Sequence, residues 1–491
     1  MSAAADTRWE PVIGIEIHVQ LSTRTKMFCG CELSFGDPPN THTCPVCLAH
    51  PGVLPVVNRE AIRLGILAGL ALGCEVAPRS QFHRKNYFYP DLSKAYQISQ
   101  YDEPICVGGR VHVLTEDGGF DVGITRAHLE EDAAKLVHAG EGGRRAAAES
   151  SGVDFNRGGT PLLEIVTEPD FRSAAQAGAF LRQLRTTLRS LGVSDCNMEE
   201  GSMRADANVS VRPAGTTGLG TKTELKNMNS FRFLERGIDA EIARQVAVLE
   251  DGGAITQETL HFDPDTGDLH SLRSKEEAHD YRYFPEPDLV PVVPDPAWVE
   301  GIRAGLPELP AQRRARWVEE LGLSFEDAEV LAETPELGAW FEEVAAQAEP
   351  KVAANWIRGE LRARLRELGQ EPWESNVTPG HMAELLGLLA DRTINVPAAK
   401  EVLAEVIATG ARPADVVEQK GLGQISDEGE LVALVERLLA DNPAQAQQLR
   451  DGRDKVVGFF VGQAMKATGG KADPARVGEL VRDRAAAGRE P

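Results

Sequence analysis

The chain has 491 residues, more than one hydrophobic core serves, so two to four domains are expected. With 42% hydrophobic and 26% charged residues it has the make-up of a soluble globular protein; it holds no apolar run of membrane-spanning length. Its start lacks the cationic and apolar regions of a signal peptide, and seven cysteines in so long a chain do not make a secreted disulfide framework, so a cytoplasmic protein is expected. A net charge of −23 excludes a protein that coats nucleic acid with a uniformly basic surface. The excess is uneven: residues 1–350 carry −21 and the rest −2, so a basic stripe counts in the C-terminal third.

In chain order, Gly14-Ile15-Glu16-Ile17-His18-Val19-Gln20 alternates apolar and polar residues, placing Glu16, His18 and Gln20 on one face of a strand. Next, Cys29-Gly-Cys31 and Cys44-Pro-Val-Cys47 form two close thiol pairs, the spacing of a closed tetrahedral Cys₄ site for a structural zinc ion. Cys74, Cys106 and Cys196 are scattered and read as core. A helix is predicted over Glu60–Leu72, ending before Gly73. Arg84-Lys85-Asn86-Tyr87-Phe88-Tyr89-Pro90-Asp91 mixes cations with aromatics, which serves either to stack a base and hold its phosphates or to pack a loop on a sheet; Asp280-Tyr-Arg-Tyr-Phe284 poses the same choice.

His128-Leu-Glu130-Glu131-Asp132 sets three acids side by side, either around a cation or at a solvated helix start. Asn156-Arg157-Gly158-Gly159 is a turn with Arg157 placed for an anion, but it lacks the spacing of a P-loop. Leu163–Glu168 offers Glu164 and Glu168 on a strand, and a helix follows over Ser173–Leu191. Ser202–Ser210 carries Arg204, Asp206 and Asn208 on one strand face, and Thr221–Lys226 carries Lys222, Glu224 and Lys226. Four strand faces of this kind point to a polar cleft, whose carboxylates and imidazole suit a hard cation and the phosphates it neutralises.

The proline-rich stretch from Phe284 breaks regular structure. Beyond Trp298 the pattern turns helical, with candidates at Glu308–Leu321, Phe325–Glu333, Glu336–Ala348, Val352–Leu368 and His381–Leu389, then a small bundle after a break near Thr409–Pro413. Arg358, Arg362, Arg364 and Arg366 form a basic stripe, read either as a nucleic-acid contact or as a solvated helix face. The fold class is α+β. No serine-hydrolase elbow, dinucleotide fingerprint or amidase apparatus is present.

Several of these segments together closely resemble the B subunits of the glutamyl-/aspartyl-tRNA amidotransferases. The resemblance rests on Ile13–Gln20, His50-Pro-Gly-Val-Leu-Pro-Val-Val-Asn58, Arg84–Asp91, Tyr96-Gln-Ile-Ser-Gln-Tyr101, Met198–Asn208, Glu224-Leu-Lys-Asn-Met-Asn-Ser230, Asp280–Asp288 and Gly458–Lys466. It implies an antiparallel-sheet catalytic domain like those of glutamine synthetase and the guanido kinases over residues 1–297, with the cysteine knuckle embedded. A helical domain over 298–411 and a tRNA-binding helical tail over 412–491 are implied as well. It implies ATP- and Mg²⁺-dependent phosphorylation of the side-chain carboxylate of Glu-tRNA(Gln) or Asp-tRNA(Asn), followed by amidation with ammonia from an amidase A subunit, while a small C subunit steadies the pair. By the resemblance Glu16, His18, Glu130 and Glu164 hold Mg²⁺, with Glu131 the alternative to Glu130. Asp206 and Asn208 hold a second ion or the ATP, and Lys85, Arg204, Lys222 and Lys226 pair with phosphates. Cys29, Cys31, Cys44 and Cys47 place the chain among the zinc-binding members.

Overall fold

The structure, a computed structural model, describes residues 8–139, 150–228, 230–263, 266–274, 281–424, 428–469 and 471–487. Residues 1–7, and the motif residues Asn229, Asp280 and Gly470, lie outside them. The chain divides into two compact units, Met1–Ala315 and Arg316–Pro491.

The first unit begins with β1 (Trp9–Gln20) and α1 (Arg59–Ala71), followed by β2 (Glu75–Val76), β3 (Phe82–Asn86), β4 (Tyr96–Gln100), β5 (Cys106–Val107), β6 (Arg110–Val113) and β7 (Phe120–Glu131). A separate two-stranded sheet joins β8 (Lys135–Ala139) to β9 (Ser150–Asp154). Then come β10 (Pro161–Thr167), α2 (Ala174–Ser190), β11 (Met203–Pro213), β12 (Thr223–Met228), α3 (Phe231–Glu250), β13 (Glu258–Phe262), β14 (Leu269–Ser274), β15 (Phe284–Pro285) and α4 (Pro296–Ala304). The main sheet runs β14-β13-β12-β11-β1-β10-β7-β4-β3-β15, with β2, β5 and β6 joined beside β7.

Alternation along the central strands sorts their side chains. Ile13, Ile15, Ile17 and Val19 of β1 are buried with Ala127 and Leu129 of β7, Leu163 and Ile165 of β10, and Ala205, Ala207 and Val209 of β11. Leu64 of α1, Leu181 of α2 and Leu234 of α3 join the same cluster, so the helices cover this face. The other face carries the polar sets. Asn58 and Ser173 cap the starts of the first two helices, and Gly73 and Gly192, at φ 73° and 64°, supply the left-handed turn after each.

Two features depart from expectation, and one causes the other. The sheet is not wholly antiparallel, because β12 and β13 pair in parallel. A parallel pair needs a long crossover, and α3 is that crossover. Helical spacing did not reveal α3 because its inward face carries Glu241 and Gln245, both fully buried. Thr223 Oγ1 donates to Glu241 at 2.7 Å and the Gln245 amide donates to Val209 O at 3.0 Å, bonds that let the helix pack although Gln245 Oε1 has no donor among the described residues.

The second unit is helical. The predicted segments appear as Pro310–Glu320 (reaching back across the boundary), Phe325–Leu331, Pro335–Ala345 and Pro379–Ala390, and Val396–Thr409 adds an unpredicted one capped by Asn395. The single helix expected over Val352–Leu368 is three pieces: an α-helix Pro350–Trp356, a π-helical turn Ile357–Leu361 and an α-helix Arg362–Glu367. Its basic stripe is largely spent within the unit. Arg358 pairs with Glu326 and Asp327, Arg362 with Glu333 at 3.3 Å, and Arg364 with Glu360 at 2.7 Å. Charges so neutralised favour the solvated-face reading over a phosphate contact. One apolar cluster spans Trp317 to Val417 and another Leu431 to Ala485.

Helix α1 packs closely enough that a Cβ on Gly69 would lie 2.3 Å from Cys106 Sγ and 2.9 Å from its Cβ. Gly69→Ala gains helix propensity of about 1 kcal/mol, but the overpacking it forces costs about 1–3 kcal/mol. The expected net result is a lower urea midpoint for the first unit at unchanged m-value; a raised midpoint would show that β5 yields freely.

Candidate active site and cysteine knuckle

The polar faces of five neighbouring strands form one surface because register aligns them. His18 lies opposite Glu164 of β10 on one side and Arg204 of β11 on the other; Glu164 in turn lies opposite His128 of β7. One row along, Glu16 lies opposite Asp206, and a row further Asn208 lies between Gly14 of β1 and Glu224 of β12. Glu130, two residues beyond His128 on the same face, completes the group.

His18 Nε2 is 3.3 Å from Glu164 and 3.5 Å from Glu130, and His128 Nε2 is 3.3 Å from Glu164. One ligand atom each from His18, Glu130 and Glu164 falls within 4.8 Å of the others. Glu130 is 2% exposed and Glu164 8%, so their repulsion is poorly screened by water. The imidazoles answer it. Burial works against the His18 imidazolium, but Glu164, then Glu130 and Asp206, raise its pKa to about 9. Burial likewise disfavours charge on Glu164, yet His128 and His18 hold its carboxyl well below the usual range. A hard divalent cation fits the same place once it displaces the His18 proton, since two carboxylates and a neutral imidazole then converge on one point.

A cavity of about 340 Å³ opens over this group, lined by His18, Glu130, Asp206, Lys85, Arg204 and Lys226 among others. Burial tends to discharge Lys85, but Glu130, Tyr283 and Glu164 raise its pKa, so it stays cationic. Its ammonium lies 5.0 Å from the Tyr281 ring. The two aromatic motifs thus meet: Phe284 of β15 pairs with Arg84 of β3, and Tyr281 packs edge-on against Tyr87. Burial raises the Asp206 pKa, opposed by Lys226 at 3.7 Å and by His18. The Asn208 amide donates to Glu16 at 2.9 Å, while its Oδ1 is buried with no donor among the described residues, an acceptor open to a ligand.

Other candidates lie apart from this group. Glu131 follows Glu130 on a strand, so it points to the opposite face. There it pairs with Lys94 at 2.7 Å, accepts from Ile98 N at 2.9 Å, and lines a second cavity with Lys26, Cys29 and Cys47. It is thereby no alternative to Glu130 in this cluster. Lys222 stands exposed ahead of β12, outside the cavity lining. Glu168 is exposed beyond a register shift at Val166/Thr167 and accepts from Thr125 at 2.7 Å. Arg84 is committed to Glu286 through two bonds of 2.7 Å. Arg157 does line the cavity, but donates to Ala133 O and Ala134 O.

The four cysteines of the two pairs come together, their sulfurs within 4.8 Å of one another and Cys44 and Cys47 at 3.9 Å. Tetrahedral zinc with bonds of about 2.3 Å places its sulfurs about 3.8 Å apart, so the site fits that ion. The bond from the Cys29 thiol, with help from Cys44 N–H and Lys26, lowers the Cys47 pKa, whereas burial raises that of Cys31 to about 11. Cys74, Cys106 and Cys196 are buried in the core.

Two contributors to the site were not assigned a place in it from the sequence. His128 was visible only as a histidine two residues before the acids, and Asp132 only as the third of them. Asp132, 5% exposed, accepts from Arg204 at 3.1 Å and Gln20 at 3.0 Å, and Arg157 lies 3.6 Å away. Burial opposes its charge, but Arg204 and Arg157 hold its carboxyl below the ordinary range. A depressed folded pKa gives stability that is present above the unfolded value of about 3.9 and lost as pH falls through the folded one. Asp132→Asn is therefore expected to cost about 1–3 kcal/mol at pH 7, with the difference from wild type shrinking below about pH 4. Urea melts at both pH values check this; a gap independent of pH would assign the loss to packing.

A sequence profile of the GatB/GatE catalytic domain matches residues 11–300, and one of the GatB domain matches residues 339–484. The B subunit of the aspartyl/glutamyl-tRNA(Asn/Gln) amidotransferase of Geotalea daltonii is 54% identical over 474 residues, covering 96% of this chain and 98% of its own length. The protein of that name in Geobacter sulfurreducens is 53% identical over 474 residues, with the same coverage. That of Thioalkalivibrio sulfidiphilus is 51% identical over 478 residues, covering 96% and 99%. With both profiles and near full-length identity in agreement, the chain belongs to the GatB family, the B subunits of the aspartyl/glutamyl-tRNA amidotransferases.

Proposed function

We propose that this chain is the component that activates and amidates the aminoacyl group of mischarged Glu-tRNA(Gln) or Asp-tRNA(Asn), giving Gln-tRNA(Gln) or Asn-tRNA(Asn). The observation that carries the reading is the convergence of His18, Glu130 and Glu164 at a cavity that also presents Lys85, Arg204 and Lys226. Acids at the centre with cations around them suit a triphosphate and its metal, and suit no plain solvated sheet.

The chemistry asks for such a site. A carboxylate is a poor electrophile. Transfer of the γ-phosphoryl of ATP to its oxygen supplies a leaving group; ammonia then attacks the acyl carbon and phosphate departs. Phosphoryl transfer is mostly positioning and charge neutralisation. His18, Glu130 and Glu164 would hold Mg²⁺, which when bound offsets charge on the phosphates. Glu16, Asp206 and Asn208, in the next two rows, would hold a second ion or the ATP, Asn208 through its unpartnered Oδ1. Lys85, Arg204 and Lys226 pair with phosphate oxygens and orient the chain of phosphates toward the carboxylate. Lys222, exposed beside the cleft, would act only at its rim.

Ammonia comes from the glutamine-hydrolysing A subunit, and a small C subunit steadies the complex in the cytoplasm. Residues 1–297 form the catalytic domain, with a structural zinc ion on Cys29, Cys31, Cys44 and Cys47. Residues 298–411 and 412–491 hold the tRNA body. In the tail, helix Val457–Ala467 carries Lys466 and presents a partly exposed Phe459, a cation and an aromatic of the kind nucleic acids use.

With the amidase partner, glutamine and ATP, Glu164→Gln is expected to slow conversion of Glu-tRNA(Gln) by roughly 10²-fold or more, the scale for losing one electrostatic stabiliser. Its tRNA affinity should stay that of wild type. Conversion at the wild-type rate would remove the strand cluster from the reaction.

A further inference from the structure

Lys26 is 1% exposed, an uncommon place for an ammonium. Its backbone N–H donates to Cys31 O at 3.0 Å, and its ammonium donates to Phe155 O at 2.8 Å and to Cys47 Sγ at 3.7 Å. Among the described residues no carboxylate pairs with it. A buried cation short of negative charge is expensive, and one sulfur and one carbonyl do not fully supply that charge. Four thiolates around a divalent metal carry a net charge of −2 and do.

Lys26 also bridges the knuckle to the turn that precedes Arg157. Phe155 belongs to a turn tied to the knuckle by three further bonds: Phe155 N donates to Asn40 at 2.8 Å, His42 N to Asn156 at 2.8 Å, and the Asn156 amide to Pro38 O at 2.8 Å. Arg157, two residues beyond Phe155, lines the reaction cavity, 3.6 Å from Asp132. We infer that Lys26 is the counter-charge of a thiolate-ligated divalent metal on Cys29, Cys31, Cys44 and Cys47, and that its bond to Phe155 makes the seating of Arg157 depend on metal loading. Lys26 is thus a positioning residue whose effect reaches the cavity through the backbone of 155–157. The inference rests on the zinc reading above.

The test uses the full chain in its complex, with zinc as the probe. Zinc transfer to a colorimetric chelator is timed for wild type and Lys26→Met, and hydrogen exchange over residues 153–158 is followed in wild type, zinc-stripped wild type and the variant. Lys26→Met should release zinc about 10- to 100-fold faster, the usual scale for a group supporting metal ligands. Exchange over 153–158 should rise in both the variant and the stripped wild type. Release at the wild-type rate overturns the counter-charge, and unchanged exchange in stripped wild type overturns the coupling. That second arm needs no variant, so it decides even where Lys26→Met does not fold. Wild type that takes up no zinc defeats the metal reading itself, and this inference with it.

Discussion

Glu130 and Glu164 meet on adjacent strands of one sheet, nearly out of reach of water, and two carboxylates so placed repel unless positive charge stands between them. Much of the surrounding sheet can be understood as the means of supplying it. His18 and His128 bracket Glu164 across β1 and β7, each 3.3 Å away. Lys85 and Arg204 close the cavity from the sides, and Asp132 fixes Arg204 with Gln20 behind it. Strand register does this placing, since a slip of one residue would carry His18 to the core face and Ile17 to the cleft. The apolar face that pins the register and the polar face that lines the cleft are thus alternate residues of the same strands.

Alternation also separates neighbours that the sequence writes together. Glu130 faces the cleft, while Glu131 faces a second cavity with Lys94 and the cysteine knuckle. The knuckle is tied to the polar cleft through its loops. Ser93 Oγ donates to Cys47 O at 2.8 Å in the loop that bears Asp91 and Lys94, and Lys26 and Asn156 tie the knuckle to the turn that bears Arg157. A structural metal there would hold two loops of the cavity wall as well as its own four sulfurs.

What the sequence made legible follows from periodicity. The strands bearing Glu16, Asp206 and Glu224 alternate, so their faces were readable before any fold was known; that of Glu164 was readable only as far as the register shift at Val166/Thr167, which takes Glu168 out of the group. The two cysteine pairs were readable from spacing alone. Where long-range pairing decides, the sequence was silent. Helix α3 hid because Glu241 and Gln245 sit on its buried face, partnered by Thr223 and Val209. The parallel β12–β13 pair hid with it. Nothing local tells that Arg358 and Arg362 meet Glu326 and Glu333; with the i,i+4 pair of Glu360 and Arg364 these turn a basic stripe into an ion-paired one. His128 needed the register of β7 against β10 before its place beside Glu164 was visible.

The central claim is that His18, Glu130 and Glu164 bind one divalent cation with the nucleotide. Pulsed electron paramagnetic resonance with Mn²⁺ and ATP tests it most directly, because a coordinating imidazole leaves a nitrogen coupling on the ion. The account predicts a coupling present in wild type and in His128→Gln but lost in His18→Gln. A coupling that survives in His18→Gln would place the ion elsewhere and contradict the account.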